Sequence, residues 1–233
     1  MNNTETPSFE EWVHYCFTQG YSDFHTEPDA DHYEAHEQRR QRFVDIDPKA
    51  LSEHIIRLFS NPAFLADEYT DQQIADAVWF IFGLATTYFL HLRSEVVPRN
   101  VQIRCIESVA TLYTDLFDRL CDKHDVDPNK SSSKDTPLED AVYMIWDMDC
   151  IEGAVMFPKH WPHLVDPGFR VLETILEKCR TVTCKESALH ALGHIHMYHP
   201  ERVEKIIDKF LASPDQPGVL REYALDAREG AVQ

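Results

Sequence analysis

The chain has 233 residues, 43% of them hydrophobic, and 22 basic against 40 acidic side chains, for a formal charge of −18. That apolar share supports a large core and excludes a disordered chain. The acidic excess excludes nucleic-acid binding, because affinity for phosphate backbones rests on clustered Lys and Arg. With 7 glycines in all, neither a hairpin-rich sheet protein nor a glycine-rich phosphate loop is expected.

The first eleven residues carry Glu5, Glu10 and Glu11 and no base, which is not the pattern of a secretory leader. The longest apolar run, 77–90, is broken by Gly83, Thr86, Thr87 and Tyr88 and falls short of the roughly 20 residues that span a bilayer. The six cysteines are scattered without a C-x-x-C pair, so buried free thiols and a reducing cytoplasm are the expectation.

In chain order, the sequence predicts helices over 8–19, 48–60, 70–92, 98–122, 137–151, 167–180, 184–197, 200–212 and 219–228. Four S/T-x-x-E/Q capping boxes support the starts: Ser8/Glu11, Thr70/Gln73, Thr136/Glu139 and Thr183/Glu186. In each, side chains would satisfy free backbone N–H groups of the first turn. Pro137 and Pro48 suit the first helical position, where a missing donor is harmless. Ile106, Val109, Tyr113, Leu116, Phe117 and Leu120 form one apolar stripe, and Val203, Ile206, Ile207, Phe210 and Leu211 another, both at helical spacing. The 70–92 helix is apolar almost all round, as a central helix would be, and alternating strand patterns of useful length are absent. Residues 1–47 form an acidic arm with one helix, 48–122 a first helical group, 123–136 a flexible connection and 137–233 a second group, all within one domain.

The run from Glu186 to Leu211 (ESALHALGHIHMYHPERVEKIIDKFL) resembles a HEAT-like repeat. The shared features are Ala188, Leu189, Leu192 and Gly193, the Pro200-Glu201 start, and Val203, Ile207 and Leu211 on the second helix. That resemblance implies an all-α, short HEAT-like solenoid of antiparallel helix pairs, in which Gly193 lets a partner helix approach closely. HEAT arrays share a scaffold and no common chemistry, so an activity is not implied. The segments 69–74 and 186–194 are also similar to uncharacterised bacterial proteins.

Histidine is abundant, with 13 copies. His190 and His194 are four apart on one helix, opposite the stripe of Ala188, Leu189, Leu192 and Ile195. They would face away from the core as surface histidines and could present two imidazoles to a metal. His32 and His36 repeat the spacing within an acidic stretch. Glu11-x-x-His14 lacks the second copy a di-iron bundle needs, and His124-Asp125 lacks an upstream partner. Asp147 and Asp149, with Glu152, lie near a helix C-terminus, where acids oppose the dipole; solvent exposure explains them, and binding is the alternative. Trp161 and His163 sit in an aromatic, proline-rich loop of the kind that carries function.

No catalytic or cofactor motif is present, so no cofactor is expected. Residues 1–150 hold 28 acids and 12 bases, a bias that would steer a basic protein partner. The leading expectation is a non-catalytic protein-binding helical module. The alternatives are a bacterial immunity or inhibitor protein that neutralises a basic toxin, and a metal-dependent enzyme or sensor using His190 and His194.

Overall fold

The computed structural model describes residues 6–26, 30–84, 86–122, 136–148 and 151–232. Residues 123–135 of the expected 123–136 connection, with the His124-Asp125 pair, and Asp149 lie outside the described residues. Among the described residues the regular structure is helical, with no strand.

The chain opens with α1 (Phe9–Tyr15), which passes through a π-helical stretch (Cys16–Gly20) into α2 (Tyr21–His25); a 3₁₀ turn (Ala30–His32) then leads into α3 (Tyr33–Val44). The first 47 residues are therefore more than an arm with one helix. Trp12, Tyr15, Cys16 and Phe17 are buried in the main core. Helix α3 is almost wholly polar, with Phe43 its buried residue, and is tied down by ion pairs from Arg39 to Asp23 and from Arg42 to Glu11. A search for apolar periodicity has nothing to find in such a helix.

Next come α4 (Pro48–Ser60), α5 (Leu65–Glu68), α6 (Asp71–Phe82) and α7 (Tyr88–Leu92). The single helix expected over 70–92 is broken, because the backbone leaves α6 extended at Gly83 and re-enters at Thr87 in the left-handed region. The Thr86 hydroxyl donates to the Phe80 carbonyl at 2.9 Å, satisfying an acceptor that a continuous helix would have paired. Helix α8 (Arg99–Leu112) widens into a second π-helical stretch (Tyr113–Phe117) and ends as α9 (Asp118–Leu120).

The second group comprises α10 (Pro137–Met144), α11 (Glu152–Met156), α12 (Pro162–Lys178), α13 (Val182–His196), α14 (Pro200–Leu211) and α15 (Gly218–Glu229). Helix α12 starts five residues before the expected boundary. Pro162 takes its first position, Pro167 is accommodated inside, and Leu164 and Val165 join its buried face. Helix α10 ends at Met144, short of the expected 151, and a turn follows.

Three capping boxes have their N-cap bond. Ser8 and Glu11 form both reciprocal bonds, as do Thr70 and Gln73. Thr136 accepts from the Glu139 N–H, while Glu139 also accepts from the Asp122 N–H at 2.9 Å. The fourth is overturned, because α13 begins at Val182 and leaves Thr183 inside it. Its N-terminus is capped from a distance: Asp118 accepts from the Arg180 and Thr181 N–H groups, and Asp122 from the Val182 N–H and the Thr183 hydroxyl. Two carboxylates thus meet the positive end of the helix dipole.

Helix α8 packs on α4 and α12, α6 packs on α10, and α13 is enclosed by α10, α12, α14 and α15. One continuous core runs from Trp12 to Ala227. At its middle, the Tyr113 hydroxyl accepts from the Trp146 indole at 3.1 Å and pairs with Ser187 at 2.8 Å. A Cβ on Gly193 would fall 2.5 Å from Val232, so the close approach at this glycine is made by the C-terminal tail and not by a partner helix.

Candidate metal centre

Helix α13 is buried on almost every side, and this decides where its histidines point. His190 is fully buried and His194 half-buried, so the expectation of outward, solvated imidazoles is overturned. The face opposite Ala188, Leu189, Leu192 and Ile195 is covered by α15, by α10 and by the turn that follows α10.

Three elements contribute to the cluster that results. Helix α13 supplies both imidazoles, the turn after α10 supplies Asp147, and the first residue of α11 supplies Glu152. Asp147 Oδ1 lies 3.3 Å from His190 Nε2 and 3.4 Å from His194 Nδ1. Glu152 Oε1 lies 2.9 Å from His194 Nδ1. Behind His190, its Nδ1 meets the Tyr223 hydroxyl at 2.6 Å and the Tyr143 hydroxyl at 2.9 Å, and the two hydroxyls are 2.8 Å apart.

Burial, and then the neighbouring His194, hold the His190 imidazolium below its ordinary range; the hydrogen bond to Glu152 raises His194 above its own. Two carboxyl groups thus face two imidazoles, one with its charged form disfavoured and the other with it favoured. The Asp147 contacts are long for charge-assisted hydrogen bonds, which run at about 2.7–2.9 Å. His190 Nε2 is buried and makes no well-aligned hydrogen bond, its polar neighbour being Asp147 Oδ1 at 3.3 Å, although buried polar atoms are normally paired. Tetrahedral ligand bonds of ~2.0–2.1 Å give ligand-to-ligand edges of about 3.3–3.4 Å, and those are the separations around Asp147 Oδ1. The tyrosine hydroxyls can accept a hydrogen bond from the His190 Nδ1–H, the outer contact that leaves Nε2 as the lone-pair donor.

Asp147, His190 and His194 are thus brought together, whereas Trp161 and His163 belong to another place. Trp161 precedes α12 and lies under the Arg93 guanidinium, 4.6 Å from its ring centre. His163 Nε2 is 2.6 Å from Gln102 Oε1, and burial followed by Arg99 depresses its basicity. Trp161 thus meets the end of α7, and His163 ties the start of α12 to the first turns of α8. Sequence reasoning missed Tyr143 and Tyr223. The i,i+4 offset from Tyr143 to Asp147 was visible, but nothing in the chain tied either tyrosine to His190.

His194 and Glu152 also line an open recess of about 480 Å³ with Met156, His196, Met197 and Glu229. No known protein family, curated protein or solved structure matches the chain.

Proposed function

We propose that this protein is a metal-dependent helical protein that holds one divalent ion, Zn²⁺ by its mixed donor set, on Asp147, His190 and His194. The observation that carries this reading is Asp147 Oδ1 at ligand-edge spacing from both imidazole nitrogens, with all three donor atoms within 4.8 Å of one another and the His190 nitrogen buried without a well-aligned hydrogen bond. Imidazole with carboxylate suits a borderline ion, and three protein ligands leave a fourth position for water. A bound ion lowers the pKa of such a water towards neutrality, and Glu152 stands beside His194 to take the released proton. The reaction class is then metal-assisted hydrolysis. Glu152 and Glu229 line the recess beside Met156 and Met197, which favours a neutral or cationic substrate over an anionic one.

The ion itself is tested by calorimetric Zn²⁺ titration of untagged, chelator-treated protein. One equivalent is expected to disappear in both Asp147→Asn and His190→Ala, and unchanged stoichiometry in both would overturn the reading. Glu152→Gln should keep the ion while losing hydrolysis of a neutral ester panel.

The helix pair α13–α14 supports a HEAT-like arrangement, in keeping with the resemblance over 186–211. Buried free thiols at Cys16, Cys105, Cys121, Cys179 and Cys184 support a cytoplasmic location. Partner binding is a second reading, favoured by Met197 and Tyr198, which are exposed beside Phe157 at the margin of the recess.

A further inference from the structure

Three cysteines far apart in the chain meet where three helix ends converge. Cys121 follows α9, Cys179 follows α12, and Cys184 lies in the first turn of α13; all three are buried and free. The Cys184 thiol neighbours both of the others; its contact, and then burial, push the Cys179 thiol up, while burial, and then the Cys121 contact, push its own up. A carboxylate oxygen of Asp118 and the sulfurs of Cys179 and Cys184 lie within 4.8 Å of one another. Asp118 Oδ1 is taken by the Arg180 and Thr181 N–H groups and the Thr181 hydroxyl. Its Oδ2 has only the exposed Arg180 guanidinium, at 3.4 Å.

Cys184 sits at the positive end of the α13 dipole, and the half-buried Lys185, whose ammonium acts on both Cys179 and Asp118, donates to Gln216 Oε1 at 3.0 Å.

We propose that Asp118, Cys179 and Cys184 hold a second Zn²⁺ that staples α9 and the end of α12 to the start of α13. Thiolate sulfur selects a soft or borderline ion, and a carboxylate oxygen is a donor that Zn²⁺ accepts beside it. Binding exchanges thiol protons for the ion and releases them to solvent. Lys185 and the α13 N-terminus offset the remaining negative charge. The site is independent of the Asp147–His190–His194 centre and stands whether or not that centre binds metal.

Cobalt substitution tests it. The full chain, reduced and chelator-treated under anaerobic conditions, is titrated with Co²⁺. The expected result is a near-ultraviolet sulfur-to-cobalt charge-transfer absorption that Zn²⁺ bleaches. That absorption should be lost in Cys179→Ser and Cys184→Ser, and retained in Cys105→Ser and His190→Ala. Its absence from the wild-type protein, which is folded whatever becomes of the variants, would overturn the proposal. So would its survival in both serine variants.

Discussion

Glu11 joins the start of α1 to the end of α3. Its Oε2 accepts from the Ser8 N–H at 2.9 Å, and its Oε1 accepts from Arg42 at 2.9 Å. The Ser8 backbone bond first, and then Arg42, bring its carboxyl down to about 2. A carboxyl depressed in the folded state contributes stability that is complete above the unfolded value, ~4.3, and is lost as pH falls through the folded one. Acid unfolding followed by circular dichroism should therefore show a shallower loss between pH 4.5 and pH 2 in Glu11→Gln than in wild type. Equal slopes would mean that the pair with Arg42 adds nothing. The Ser8/Glu11 box was legible because its partners are three residues apart. Arg42 was not, because 31 residues of chain separate it from Glu11. His190 gives the same lesson. Its i,i+4 relation to His194 is a property of any helix, whereas its burial depends on Tyr223 and Asp147, which arrive from other elements.

Helix α12 shows how far local signals reach. The helix was expected over 167–180, yet its start was misplaced because Pro167 resembles a helix beginning as much as Pro162 does. Inside it, a Cβ on Gly168 would fall 2.2 Å from Val155 Cγ2 on α11. This glycine fixes how closely the two helices approach. Gly168→Ala should destabilise the fold by about 1–3 kcal/mol, the usual size for overpacking. Val155→Ala in the same chain should recover part of that loss. Denaturant melts of the two single variants and the double variant check this, and strictly additive losses would show that the two positions do not meet. Thr183 failed as a cap for a related reason. Its box was correct in spelling, but Asp118 and Asp122 already occupy the N-terminus of α13, and that competition exists only once α9 is docked.

On the scale of the whole chain, the two helical groups share one core through α8 with α12 and α6 with α10. Unfolding should then be a single transition, with Trp12 in the first group and Trp146 in the second reporting one midpoint. Single-tryptophan chains carrying one or the other test this, and separated midpoints would divide the molecule into two folding units. The all-helical class, most helix starts and the amphipathic stripes were set by the sequence itself, since caps and periodicity act over three to eight residues. Only the tertiary structure decided which side of α13 is covered, that Asp147 reaches two imidazoles, and that three scattered thiols meet. Burial and ligand spacing arise from contacts between segments 30 to 80 residues apart, and helical spacing in one segment carries no information about which other segment will pack over it.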